Sequence, residues 1–161
     1  MKGFADASPG LKWHLRDGDE KTGVASLALL AHLDIDSGSA AFRGQGLRPS
    51  LRGVAEWDLP DEYTVGVMPG LAWDKAADGR RFASGIFAVT LGKSFTREWR
   101  GYVELAGQQI AATKNGGSVV TFDTGVAWLA NDSLQLDLGF AYGLNKNTPD
   151  LRWGLGVSFR F

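Results

Sequence analysis

From Leu151 to Phe161 every odd-numbered residue is large and apolar: Leu151, Trp153, Leu155, Val157, Phe159 and Phe161. Between them stand Arg152, Gly154, Gly156, Ser158 and Arg160, which are small or charged. Strand side chains point alternately to opposite faces, so this stretch predicts a β-strand with one apolar face and one wet face. The chain stops on phenylalanine without a polar tail. A bare apolar strand invites aggregation in water, so a soluble fold gains little from such an ending.

The same period of two recurs about nine times, and no segment shows convincing helical periodicity. The predicted strands are Phe4–Leu15, Thr22–Ile35, Arg48–Leu59, Tyr63–Asp74, Phe82–Lys93, Trp99–Gln109, Val119–Ala130, Leu134–Leu144 and Leu151–Phe161. Each runs to about 10–14 residues, against the five or six usual in globular proteins. That is the length a tilted strand needs to cross a bilayer. The expected fold is all-β: an antiparallel up-and-down transmembrane β-barrel with about nine strands in this chain, forming one domain over residues 1–161.

Composition narrows the alternatives. The longest apolar stretch, Val24 to Leu33, is interrupted by Ser26 and His32 and falls far short of a membrane helix. A barrel needs an apolar residue only at every second position, so a mean hydropathy of −0.11 is compatible with one. The absence of cysteine excludes a disulfide framework and a thiolate centre. A net charge of −1 gives no reason to expect nucleic acid. No cofactor is expected.

Two patterns favour lipid over water as the neighbour of the apolar face. All six tryptophans (Trp13, Trp57, Trp73, Trp99, Trp128 and Trp153) fall on the apolar phase and near predicted strand ends. Indoles favour the membrane–water interface, and barrels carry aromatic girdles there. Tyr63 to Trp73 spans about 33 Å of strand, or about 25 Å along the membrane normal at the usual tilt. Links between strands also alternate in length. Pro60–Glu62, Ser94–Glu98 and Asn131–Ser133 are short, and Arg16–Lys21 is fairly short; Asp36–Leu47, Lys75–Arg81, Ile110–Ser118 and Asn145–Asp150 are longer. Bacterial barrels place short turns in the periplasm and longer loops outside.

Strand parity is the exception. Nine strands leave the first and last running the same way, whereas a bacterial single-chain barrel has an even number. No signal peptide precedes the first strand. Both facts lead to the expectation that an odd number of amino-terminal strands, together with the leader, is missing. Pro9 and Pro69 lie within predicted strands and cannot donate to a ladder, so Pro69-Gly70 is expected to mark a bulge.

Two resemblances follow from these residues. The final strand with its terminal Phe161 resembles the closing strand of Gram-negative outer-membrane barrels, which implies the barrel-assembly machinery as a partner. The opening Phe4-Ala5-Asp6-Ala7-Ser8-Pro9-Gly10-Leu11-Lys12-Trp13-His14-Leu15 resembles a segment of a bacterial outer-membrane family assigned to transport in the meta-cleavage pathway of phenol degradation. In that family a glycine-aspartate pair precedes glycine-x-lysine-aromatic. Here Ala5-Asp6 replaces the former, and Gly10-Leu11-Lys12-Trp13 fits the latter. The resemblance covers most of the chain and implies a channel or transporter for small, in part aromatic, molecules. It transfers no binding residue.

The wet phase supplies the pore-lining candidates: Arg52, Glu56, Arg100, Glu104, Asp123, Asp137, Arg152 and Arg160, with Asp58 beside them. One reading is a network of salt bridges and water that fills the lumen. The other is a mixed-sign lining that filters solutes. Glycines at 139, 143, 154 and 156 share that phase, either leaving room for ligand or permitting close packing. His14 is expected to face inward near Lys12, and His32 to lie beside Asp34. They have no metal spacing, and neither Gly-x-Ser-x-Gly nor H-E-x-x-H occurs, so no metal site and no enzyme is expected. Asp17–Glu20 and Asp34–Asp36 read as solvated turns, not calcium loops.

The function expected from sequence is passive passage of small molecules through a bacterial outer membrane, with the lipid bilayer and a small solute as partners and nucleic acid excluded. The alternatives are a non-conducting structural barrel, and a soluble lipocalin-like barrel with its indoles packed inside and its charges outside.

Overall fold

The computed structural model describes residues 3–40, 43–76, 78–109 and 117–160. Nine strands form one sheet in chain order: β1 (Gly10–Arg16), β2 (Ser26–Asp34), β3 (Arg48–Leu59), β4 (Tyr63–Lys75), β5 (Arg81–Ser94), β6 (Trp99–Gln108), β7 (Val119–Asn131), β8 (Leu134–Gly143) and β9 (Leu151–Phe159). Every neighbouring pair is antiparallel. Among the described residues β1 and β9 pair with nothing further, so the sheet is open. The terminal Phe161, and the expectation placed on it, lie outside the described residues.

The two faces divide by phase as expected. Large apolar residues of one phase stand exposed, from Trp13 at 69% and Leu105 at 54% to Trp153 at 68%. The other phase holds the small buried residues: Ala28, Ala72, Ser84, Ala88 and Thr121, with Ser84 at 1% and Ala88 at 2%. Glu56 on β3 and Asp137 on β8 line one cavity of about 400 Å³. Five strand spacings would separate them by about 24 Å on a flat sheet, so the sheet curls strongly around its polar face. The lipocalin-like arrangement, with indoles inside, is therefore not the one found.

The outward face is almost free of charge. Register places Lys75 opposite Arg81 at its long-loop end and Lys93 opposite Tyr63 at its short-turn end. Arg16 follows the bulge of β1 and donates to Ala25 O, at 3.0 Å from Nη2. Thr124 lies between these ends and gives its hydroxyl to the Tyr102 carbonyl at 2.8 Å.

Four details depart from expectation. The first strand begins at Gly10, not Phe4, because Pro9 has no N–H and the preceding residues pair irregularly. There Ala7 N–H and Phe4 N–H bond the hydroxyls of Ser37 and Ser39. The second strand begins at Ser26, not Thr22, because Asp19 and Val24 exchange backbone hydrogen bonds around a turn in which Gly23 has φ +68°. This makes the β1–β2 link longer than predicted. Pro69 causes no bulge: β4–β5 pairing runs unbroken from Tyr63–Lys93 to Lys75–Arg81. β3–β4 pairing skips Gly53 and Val54 and resumes in the same register. The irregularities fall instead between His14 and Arg16 and between Leu129 and Asn131. Finally, Trp13 sits mid-strand in β1, whereas Trp57, Trp73, Trp99, Trp128 and Trp153 lie in the outer parts of theirs. Trp99 and Trp128 are cross-strand partners and stack with centroids 5.8 Å apart and planes 13° apart.

Candidate solute-lining site

Register lays the inward residues out in rows. One row runs Ser26, Glu56, Gly66, Thr90, Glu104, Asp123, Ala141 and Arg152 across β2 to β9. Glu104 and Asp123 are thus direct cross-strand partners, an arrangement that like charges make unfavourable. Hydroxyls offset part of that cost: Thr90 donates to Glu104, and Thr121 donates to Asp123 Oδ2 at 3.2 Å. Asp123 Oδ1 is buried and has no partner among the described residues.

The next row toward the short turns is Asp58, Thr64, Gly92, Tyr102, Gly125, Gly139 and Gly154. The Tyr102 ring lies down along these glycines. A β-carbon at Gly125 would come within 2.7 Å of the ring, and one at Gly139 within 3.2 Å of the hydroxyl. The glycines therefore have separate uses. Gly125 and Gly139 seat the tyrosine, Gly143 admits the backbone of Thr148 and Pro149, and Gly156 admits Asp137. Only Gly154 of this set faces open space. An aromatic ring laid on a glycine gap covers backbone that would otherwise be bare.

Tyr102 borders two cavities on the inward side. The first, of about 400 Å³, brings together Glu56, Thr90, Arg100 and Asp137. The second, of about 360 Å³, brings together Asp123, Arg152 and Gly154. Arg100 donates to Gln135 Oε1 at 2.6 Å, and Gln135 Nε2 donates to Asp137 at 2.7 Å, a relay across β6 to β8. Arg52 folds its aliphatic stem over Gly70, and its Nε is buried without a partner among the described residues. Arg160 lies beyond β9, with its N–H on Ser133 O, and borders neither cavity.

The expected lumen-filling salt-bridge network is not formed by these eight residues. Among the described residues none of them has an ion-pair partner within 4.0 Å. The charged network lies at the long-loop end instead. Arg48, 13% exposed in its side chain, sits between Asp34, its cross-strand partner on β2, and Asp74 of β4, at 3.8 and 3.7 Å, and reaches Asp6 at 2.7 Å. Asp6 also accepts N–H groups from Gly38 and Gly44, at 2.9 and 2.8 Å, and so ties the β2–β3 link to the wall. Asp74 accepts from Gln108 of β6 at 3.2 Å. Sequence reading missed this hub. Arg48 shares the inward phase of Arg52, but only register shows the aspartates flanking it.

The Arg48 hydrogen bond, then the Gly44 N–H, hold the Asp6 carboxyl at about 2, below its ordinary 3.8. A carboxyl depressed by folding stabilises above its unfolded pKa, and that contribution is lost as pH falls through the folded value. With the intrinsic slowing of exchange at low pH divided out, protection of the Gly38 and Gly44 amides should therefore hold down to about pH 4 and be lost toward about pH 2. Asp6→Ala, which removes both acceptor oxygens, should leave those amides poorly protected at neutral pH, and protection that persists in that variant would contradict the tie.

His14 bonds Asp17 at 2.9 Å, and His32 packs its ring over Gly10. Gly10 of the glycine-x-lysine-aromatic motif is thus needed for that close approach. Among the described residues no set of three or more His, Cys, Asp or Glu is grouped to hold a metal.

An open up-and-down antiparallel sheet, curled with its charges inside and its indoles outside, is the wall of a β-barrel. The family model described as "Putative MetA-pathway of phenol degradation" matches residues 2–161, and the chain belongs to that family. No match was found among curated proteins.

Proposed function

We propose that the chain forms part of an outer-membrane β-barrel that lets small molecules, aromatic ones among them, pass by diffusion. One observation carries this reading: an uncharged apolar band faces outward between Lys75 and Arg81 at one end and Lys93 at the other. Arg81 to Lys93 covers about 40 Å of strand, or about 30 Å along the normal at a tilt of about 40°. That equals the hydrocarbon thickness of a bilayer. The exposed indoles and the stacked Trp99–Trp128 pair fit an interfacial belt. The family's description, which names phenol degradation, supports aromatic solutes, and the charges beside two cavities, which form no ion pair among the described residues, suit a wet passage.

Because β1 and β9 run the same way, antiparallel closure takes an odd number of further strands. The barrel-assembly machinery is the partner expected to bring this about through the final strand. The test uses the full-length protein in planar bilayers and in liposomes loaded with a phenol-responsive dye. Stepwise conductance and faster phenol entry than in empty liposomes are expected. Insertion without conductance or phenol entry would favour a structural barrel, and failure to insert would overturn the membrane reading.

A further inference from the structure

We propose that the outward face binds a glycerophospholipid in the groove between β5, β6 and β7 at the short-turn end, with Lys93 holding the phosphate. The proposal rests on the membrane reading above. The groove has a volume of about 350 Å³ and is walled by Leu91, Val103, Thr124 and Val126. It exists because Gly101 carries no side chain between Lys93 and Val126, its partners in register. Phe95, from the β5–β6 turn, folds back so that its ring would lie 2.8 Å from a β-carbon at Gly101. The ring closes one side of a slot whose other walls are mainly aliphatic, the Thr124 hydroxyl being taken up by the Tyr102 carbonyl, a shape and chemistry suited to an acyl chain.

Lys93 supplies the polar end. It is the one cation that register places on the outward face at this end of β4 to β9, and among the described residues it forms no ion pair. Its ammonium lies 4.1 Å from the centre of the Tyr63 ring and donates to the Asp61 carbonyl in the β3–β4 turn. A lysine whose stem lies along apolar surface while its head reaches the polar boundary is snorkelling. It leaves a cation at the headgroup level, directly above an aliphatic slot. The stacked indoles occupy the next cross-strand pair toward the turns, which marks the same level as interfacial. Charge and slot together select an anionic or zwitterionic phosphate with an attached chain over a neutral lipid.

The experiment is native mass spectrometry of the full-length protein in detergent, titrated with dioleoylphosphatidylglycerol and, separately, with dioleoylglycerol, which lacks the phosphate. Heat-modifiable gel mobility after insertion into liposomes serves as a control. One phosphatidylglycerol should be retained per chain, and Lys93→Gln should weaken retention about tenfold while leaving insertion intact. Gly101→Val, which narrows the slot, should weaken both lipids. Equal retention of the two lipids by the wild type, or unchanged retention in Lys93→Gln, would overturn the site while leaving the barrel reading in place. A wild-type protein that fails to insert would overturn both.

Discussion

Leu138→Arg should destabilise the lipid-inserted protein by about 2–4 kcal/mol, the cost of a cation at the midplane of a barrel's lipid face. Leu138 pairs with Val126 and Leu155 on the outward face near the middle of β8, three strands across from Lys93, which by contrast lies next to the last residue of β5 at the short-turn end. Asp137 is its immediate neighbour in sequence but points the other way, into the cavity it shares with Glu56 and Arg100. Asp137→Asn keeps a hydrogen-bonding group for Gln135 and should cost much less. Urea titrations of both variants refolded in lipid would measure the difference. The opposite order would mean that the apolar phase does not face hydrocarbon.

Valine substitutions along the glycine row should rank by what each new side chain meets. Gly125→Val should cost about 1–3 kcal/mol, the usual range for overpacking. Its β-carbon would fall 2.7 Å from the Leu138 carbonyl oxygen as well as 2.7 Å from the Tyr102 ring, and the backbone oxygen cannot rotate away. Gly139→Val meets only the tip of Tyr102 at 3.2 Å, which can yield, and should cost less. Gly154→Val meets nothing within 4 Å and should be close to neutral. Tyr102→Ala should relieve most of the Gly139→Val penalty but little of the Gly125→Val penalty. Equal costs at all three glycines would show that the ring is not seated as described.

Much of the fold was legible because the code for a two-faced strand is local. Arg48–Leu59 is found with the predicted bounds, and β4 to β8 differ by only a residue or two at either end. The exceptions lie where backbone hydrogen bonding, not side-chain alternation, decides. Val24 extends the apolar stretch that leads into β2 yet is held in a turn by its two bonds to Asp19. Leu11 and Trp13 continue the pattern back toward Phe4, but Pro9 stops the regular strand before Gly10. At Pro69 the error ran the other way. A residue without an N–H reads as a defect, yet the uninterrupted pairing of β4 with β5 carries the strand through in register.

The site was less legible. Phase alone grouped Glu56, Glu104, Asp123 and Asp137 on one face, the face that register also gives them, but phase says nothing of neighbours across strands. That Glu104 faces Asp123, or that Arg48 sits between Asp34 and Asp74, depends on register. Asp6 could be singled out only as the aspartate of a family motif. Its purpose, three hydrogen bonds that pin the β2–β3 link, comes from residues more than thirty positions away.

By itself, then, the order of apolar and polar residues determined that this chain makes long two-faced strands and which side chains share each face, because a strand's side chains alternate whatever it pairs with. The tertiary structure alone decided which face lies inside the curl, which charges meet, and that glycines serve as seats for a tyrosine. Those outcomes arise from sheet curvature and cross-strand register, and both are properties of many strands at once.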